Sequence, residues 1–489
     1  MKVERSIAEG RPATPSQPVA RWSPSTIIVG LLLAAAALVL YAVSNPVHYN
    51  QYTHFVWQAD AFLHGRAWFP HPIADGSTLP ANWWFQDVYP LTDAAGNPDG
   101  RVLLPFPPLP AIVLLPFVAV FGLFTDQEAV GMLLAALGVA IAYWMLGRLP
   151  VRASVRILTT LVFATGTVWW WAAAVSSTWY FAHLVAVDIA LLAVGVSLGA
   201  DRRAAVEDLG EEVDRAAEDG GGPWAAIWPL DRSQVVAGFL LGVAATARLP
   251  LVFAAPWLML VGGGGSRLRR TVSAGVGGVV PVAALLLYTF ATTGSVLHPG
   301  YDYQYRLEAS GYPTLGYNPE WSVEDPRYVP QNLGIMFGAL PLVAPDIKPD
   351  TLGFAEPEPL CTAPDARRGL FDPDCPLVMP VDIGTSILLS APGLLLALFA
   401  FGRRPVVRLA LGGGLSVIAI ALFNLSHFSQ GWVQWGYRFS LDFIPFLLPL
   451  IAIGAARADG RPRAVAVALV IAGALVNLWG VTWGQLLGW

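Results

Sequence analysis

Apolar residues occur along this chain in runs too long for the alternating surfaces of a soluble protein. Ile27 to Val43 is one such run, and similar stretches recur to the C-terminus. The candidate windows are 25–43, 104–122, 128–147, 155–173, 181–199, 234–248, 250–263, 271–293, 383–402, 405–424, 439–456 and 464–485. A helix needs about 20 mostly apolar residues to cross a hydrocarbon layer of about 30 Å. The pattern therefore predicts an all-α fold, a polytopic transmembrane helical bundle of about 10–12 spans with outer loops carrying short amphipathic helices. One membrane domain over 25–489 absorbs nearly everything, preceded by a disordered cytoplasmic leader over 1–24 that carries Lys2, Arg5, Arg11 and Arg21. The first run is longer than the apolar core of a cleaved signal peptide, so it reads as an uncleaved anchor.

Arginine sets the orientation, because short cytoplasmic loops are enriched in basic residues. Arg148/Arg152/Arg156, Arg202/Arg203, Arg267/Arg269/Arg270, Arg403/Arg404/Arg408 and Arg457/Arg461/Arg463 all fall inside together with the N-terminus on one condition. The proline-rich window 104–122 (Pro105, Pro107, Pro108, Pro110, Pro116) must not make a full crossing, or another segment is miscounted. The outer side then receives the loops 44–103 and 294–381 and the turns near His183 and 425–438, with all seven histidines and most tryptophans. An ordinary interfacial belt would populate both faces, so the asymmetry points to an aromatic-lined outer cavity. The expected location is a cell inner (plasma) membrane of the cell envelope, crossed many times, with the N-terminus cytoplasmic.

Composition sharpens this picture at three places. Charged residues make up only 13% of the chain, against about 25% in soluble domains. The segment 201–233 is acidic and glycine-rich and reads as a solvated cytoplasmic linker. Cys361 and Cys375, the two cysteines, share one outer loop. On that side of the membrane they are expected to form a disulfide.

The first outer loop opens with Tyr52, Phe55, Val56, Ala59, Phe62 and Leu63 at helical spacing, opposite a polar face of Asn50, His54, Asp60 and His64. Such a helix lies along the membrane interface, as a lid or as part of a site. Asp87 follows Trp83-Trp84-Phe85-Gln86. A carboxylate among aromatics is partly desolvated and suited to proton transfer, or it ties to Arg101. Asp93 and Asp99 sit in turn-forming sequence and are discounted. Arg248 and Arg438 lie near membrane ends, where a guanidinium binds phosphate bidentately. The alternatives are snorkelling and, for Arg438, a tie to Asp442 one helical turn on. Asp188, inside a span, is a site residue or a helix–helix partner. His298 to Glu308 offers Tyr301 and Tyr303 with Asp302, Arg306 and Glu308, a surface suited to sugar rings.

One span, a large outer loop with the helix ending Ala59-Asp-Ala-Phe-Leu-His-Gly-Arg66, and the Pro107-Pro-Leu-Pro-Ala111 re-entry together resemble the polytopic GT-C glycosyltransferases, which include protein mannosyltransferases and aminoarabinose transferases. Gly238 to Pro250 and Gly431 to Pro445 fit the same pattern, so that the likeness covers roughly residues 25–455. The resemblance implies transfer of a sugar from a polyprenyl-phosphate donor to a glycan, lipid or protein acceptor on the outer face. It implies Arg248, Arg438, His54, Tyr301, Tyr303 and Trp435 as donor- and substrate-binding candidates. In that family an Asp soon after the first span acts as base, but here the position holds Asn50-Gln51. An amide cannot accept the proton, so the role falls to Asp87, with Asp60 second, or the chain is a non-catalytic subunit of the same fold. A membrane transporter or lipid flippase is the other reading. No phosphate loop, dinucleotide fingerprint or basic stripe is present, which argues against ATP, NAD and nucleic acid. No cofactor is expected, and a divalent metal is left open.

Overall fold

The computed structural model describes residues 24–489 apart from 75–76, 212–228, 264–265, 312–317, 319, 351–355, 357, 402–406 and 432. Residues 1–23 of the leader, most of the acidic linker, Arg403, Arg404 and Trp432 therefore lie outside the described residues.

The apolar runs fold as helices. In the first third these are α1 (Pro24–Val43), α2 (His54–Leu63), α3 (Leu109–Phe121), α4 (Gln127–Leu146) and α5 (Ala153–Thr165). There follow α6 (Trp169–Val175), α7 (Thr178–Glu211), α8 (Arg232–Ala245), α9 (Ala255–Leu260) and α10 (Arg267–Thr293). The last part holds α11 (Gly300–Gly311), α12 (Val329–Gly338), α13 (Ile387–Ser390), α14 (Val407–Ser426), α15 (Ile444–Ala455) and α16 (Ala464–Leu487). Six are long and apolar enough to cross a membrane: α1, α4, the Thr178–Arg202 part of α7, α10, α14 and α16. The pair α5 and α6, bent by 50°, makes a seventh if it counts as one span.

The twelve windows thus reduce to six or seven helices of spanning length, and the reason is local. The proline-rich window 104–122 becomes the 13-residue α3, only about 20 Å long at 1.5 Å per residue. The windows 234–248 and 250–263 become two short limbs, because Arg248 is extended (φ −141°) and Pro250 starts a 3-10 turn. The window 383–402 splits at Pro392 into α13 and a nine-residue 3-10 helix. The all-α expectation also needs amending. The first loop holds a three-stranded antiparallel sheet, β1 (Phe69–Pro70), β2 (Tyr89–Thr92) and β3 (Pro98–Leu103), ordered β1-β3-β2. The second long loop holds the pair β4 (Leu342–Val343) and β5 (Val378–Met379), beside the Cys361–Cys375 disulfide.

Packing fixes the directions. Gly138 of α4 lies against Asp188 of α7, and Gly195 of α7 against Trp144 of α4, so these helices run parallel. α8 and α10 also run parallel, since Asp231 N donates to Ser273 Oγ at 3.0 Å while Gly242 further along faces Pro281. Their backbones touch, as a Cβ on Gly238 would come within 2.0 Å of the Ala274 carbonyl oxygen and one on Gly277 within 2.0 Å of that of Val235. Small residues permit this approach, the usual device where lipid removes the hydrophobic drive between helices. α9 leads back from the tip. Gln234 Nε2 donates to Leu258 O at 2.6 Å, and Trp257 Nε1 donates to Ser197 Oγ at 2.7 Å. The segment Arg232–Leu260 is therefore a helical hairpin whose tip, Thr246–Arg248, sits far from its two ends. Those ends share one end of the bundle with Arg408, which pairs with Asp201 at 2.9 Å, and with Arg270, which donates to Gly262 O.

Candidate functional site

The site is assembled where helices stop. His54 opens α2, fully buried, with its ring stacked on Phe85 at 3.9 Å. Its Nε2 N–H donates to the Gln86 carbonyl at 2.7 Å, and its Nδ1 lies 2.9 Å from Thr178 Oγ1. Burial lowers its pKa to about 3, so the ring is neutral at physiological pH. This clamp fixes the Gln86 carbonyl, and the next residue, Asp87, takes a left-handed backbone (φ +60°). Asp is among the few side chains that tolerate that conformation. Asp87 Oδ2 accepts the indole N–H of Trp179 at 2.6 Å. Burial raises the Asp87 carboxyl above the ordinary carboxylate range, opposed by the Trp179 hydrogen bond and by the nearby Arg438 and His427.

The cationic side comes from two breaks. At the hairpin tip, Arg248 Nε and Nη2 donate to Asp442 Oδ1 and Oδ2 at 3.1 and 2.8 Å, a bidentate pair. Asp442, fully buried, also accepts from Asn424 Nδ2 at 3.0 Å. His183 Nδ1 is 3.0 Å from Asp442 Oδ1 but off the line of a hydrogen bond. Arg438 opens the 3-10 turn Arg438–Asp442 that precedes α15. It is only 9% exposed, and its guanidinium lies over the rings of Tyr180 and Phe439 at 5.6 and 5.3 Å. Its Nε has no hydrogen-bond partner, and no carboxylate lies within ion-pair distance among the described residues. Gly431 (φ +98°) backs it closely, since a Cβ there would meet Arg438 Cζ at 2.9 Å.

These groups face one cavity of about 900 Å³. Asp87, Arg248, Arg438, Tyr301, Gln304 and His427 supply its polar wall, and Trp179 and Tyr180 supply aromatic surface. Leu285, Leu286, Val296 and Leu297 form an apolar wall. Val296 and Leu297 are also 52% and 79% exposed, so this wall borders the outside of the protein. Arg438, beside the neutralised Arg248–Asp442 pair, is a local cationic point in a cavity that Glu128, Asp302, Glu308 and Glu324 also line. It can hold an anionic group next to a carboxyl able to take up a proton.

Of the residues singled out from sequence, Asp87, Arg248, Arg438 and Tyr301 converge here. Asp60 does not line the cavity; it faces His64 Nδ1 at 3.5 Å and Arg66 at 4.0 Å. Tyr303 is on the outward side of α11, edge-on to Tyr89. Trp435 is fully buried and donates to Asn477 Oδ1 at 3.0 Å, a packing role. His54 supports the Asp87 turn from behind. Asp442 pairs with Arg248 and not with its helical neighbour Arg438, and Arg101 pairs with Asp99 and not with Asp87. Asp188 is buried beside Gly138, with neither carboxylate oxygen hydrogen-bonded, and lies outside the cavity lining.

Sequence reasoning missed Gln304, Asn424, His427 and Glu128. Glu128 reaches from the first turn of α4 to accept the Asn50 backbone N–H at 2.9 Å and Asn45 Nδ2 at 3.0 Å. An acid thus sits against Asn50 although the loop itself carries an amide. Its neighbour Asp126 is an N-cap, accepting from Ala129 N at 2.9 Å, and that role masked the pair. Among the described residues no group of three or more His, Cys, Asp or Glu is placed to hold a metal ion. Comparison with protein-family models, curated proteins and solved structures finds no match.

Proposed function

We propose that this chain is a membrane glycosyltransferase that moves a sugar from a polyprenyl-phosphate donor to an acceptor on the outer face of a cell inner membrane. The observation that carries the reading is Arg438: a buried guanidinium without a carboxylate partner among the described residues, facing a cavity that also holds Asp87 and has an apolar wall bordering the outside of the protein. A buried cation is costly unless paired. The phosphate of a membrane-embedded donor would complete it, with the prenyl chain leaving past Val296 and Leu297. In this reading Asp87 accepts the proton of the acceptor hydroxyl as its oxygen attacks the anomeric carbon. The bond from that carbon to the phosphate oxygen breaks, and the electron pair departs on the phosphate. Arg438 and the free edge of Arg248 stabilise the charge that develops there. One displacement inverts the anomeric centre. The basic clusters would face the cytoplasm and the cavity the opposite side.

The test is transfer from a panel of polyprenyl-phospho-sugars by the purified chain in lipid nanodiscs, with Asp87→Asn and Asp60→Asn compared. The reading expects activity in the wild type and in Asp60→Asn, and its loss in Asp87→Asn. Full activity in Asp87→Asn removes Asp87 from the mechanism. The rival reading, a transporter or lipid flippase, draws on the Arg232–Leu260 hairpin, since discontinuous helices serve such proteins. It expects carrier movement across the membrane that survives Asp87→Asn, with no transfer by the wild type.

A further inference from the structure

α11 carries a feature that binding a phosphate does not use. Tyr301, Gln304 and Glu308, at i, i+3 and i+7, all lie on the cavity wall, as helical periodicity requires of one face. Gln304 is only 7% exposed, yet its side-chain Nε2 has no hydrogen-bond partner. A buried amide left unpaired is unfavourable, and the large majority of buried polar atoms do find partners. A neighbouring face of the helix is anchored. Tyr305 is buried, its hydroxyl 2.7 Å from that of Tyr328, and its ring packs edge-on to Phe428 at 4.9 Å. The Gln304 amide is thus presented to the cavity by a fixed element.

We infer that Gln304 is a specificity-determining residue that binds the hydroxyls of the transferred sugar, with Tyr301 beside it on the same face. This rests on the glycosyltransferase reading and deepens it by naming the ligand class: a neutral, hydroxyl-bearing glycosyl group. The chemistry of the face selects that class. An amide both donates and accepts, which matches a hydroxyl in either role. A tyrosine ring adds apolar contact and one hydroxyl. Neither brings the positive charge that an anionic sugar requires, the third residue of the face, Glu308, is acidic, and Arg438 belongs to the phosphate. Gln304 touches neither the breaking bond nor the proton in transit, so its effect falls on recognition of the sugar.

The experiment compares two probes on the full chain in nanodiscs: undecaprenyl phosphate alone, and undecaprenyl phosphate carrying glucose, mannose, galactose or arabinose. The wild type is expected to bind at least one sugar-bearing carrier about 10-fold more tightly than the bare carrier, the scale of one to two buried hydrogen bonds. Gln304→Leu is expected to erase that preference and leave affinity for the bare carrier unchanged, while Gln304→Asn restores part of it. Deoxygenation of the recognised hydroxyl should weaken binding to the wild type and have no effect in Gln304→Leu. The inference is overturned if Gln304→Leu keeps the preference, or weakens both probes equally. Should the wild type bind neither probe, the glycosyltransferase reading fails first and this inference with it. Those two failures are distinguishable because the bare carrier tests the phosphate site at Arg438 and Arg248 without the sugar.

Discussion

Arg438→Gln separates a residue kept for a ligand from one kept for the fold. In the protein without ligand, the substitution removes a buried cation that pairs with no carboxylate among the described residues. It forfeits the contacts over Tyr180 and Phe439, each worth about 2 kcal/mol at a desolvated site. It also relieves the desolvation of an unpaired charge and its repulsion from Arg248. These terms oppose one another, so stability should stay within about 1 kcal/mol of wild type, or rise. Breaking a true buried ion pair would instead cost about 3–5 kcal/mol. With ligand the balance reverses. Two charge-assisted hydrogen bonds to an anion, at about 1.5–3 kcal/mol each, are lost, and affinity should fall about 100-fold or more. The assay is thermal unfolding of the nanodisc-embedded protein, titrated with undecaprenyl phosphate. Wild type should show a ligand-dependent rise in Tm that the variant lacks, while the two ligand-free transitions nearly coincide. A variant that binds as tightly as wild type, or that unfolds several kcal/mol earlier without ligand, refutes the assignment of Arg438 as an anion receptor.

Other outcomes follow from the same geometry. Asp87→Asn should lower transfer by about 10² to 10⁴-fold, the usual contribution of a general base, without changing carrier affinity. In the wild type the rate should climb with pH through a pKa above the ordinary carboxylate range, because burial raises the Asp87 carboxyl; a rate flat from pH 4 to 8 contradicts the assignment. Asp442→Ala strips Arg248 of its bidentate partner and should cost about 3–5 kcal/mol. Combining it with Arg248→Met should recover much of that loss, and strict additivity in thermal unfolding would show that the pair is not coupled. His54 is buried neutral with a pKa lowered to about 3 from 6.5, so the unfolded chain takes up the proton first. Stability from this group is therefore full above pH 6.5 and drains away as pH falls toward 3. His54→Gln should flatten that acid limb, measured as Tm at pH 7, 5 and 4, and an unchanged slope speaks against the buried clamp.

Hydropathy revealed where helices are, because apolar runs of about 20 residues admit few other structures in a membrane. It did not show the breaks where proline interrupts hydrogen bonding: Pro250, Pro392 and the cluster from Pro105 to Pro116 all sit in windows that yield short pieces. Asp87, Arg248, Arg438 and Tyr301 were legible because charged or hydroxylated groups beside aromatic residues are unusual near apolar segments. Asp60 and Tyr303 misled because a helical repeat tells which residues share a face but not which face meets the cavity. Trp435 misled because a buried indole and a binding indole have the same sequence surroundings. Glu128 and Gln304 were invisible for a different reason. Their partners, Asn50 and the cavity wall, lie far away in sequence, and only the tertiary fold brings them near.

The breaks in the apolar windows and the site share one cause. Arg248 stands at the gap between α8 and the 3-10 turn at Pro250, Arg438 and Asp442 bracket the 3-10 turn before α15, and Asp87 occupies a left-handed position. A continuous helix satisfies its own backbone and leaves its flanks to packing, so it has little to offer a polar ligand. A break frees backbone polar groups and turns side chains inward, and at membrane depth it is tolerated only where protein or a cavity receives it. The straight helices hold the breaks in place: α4 beside α7, and α8 against α10 through Gly238 and Gly277. A bulky residue at Gly277 would push the α8 limb away and shift Arg248 at its tip, weakening the cavity without touching any residue that lines it. The windows broken by proline and 3-10 turns are thus the segments that build the site.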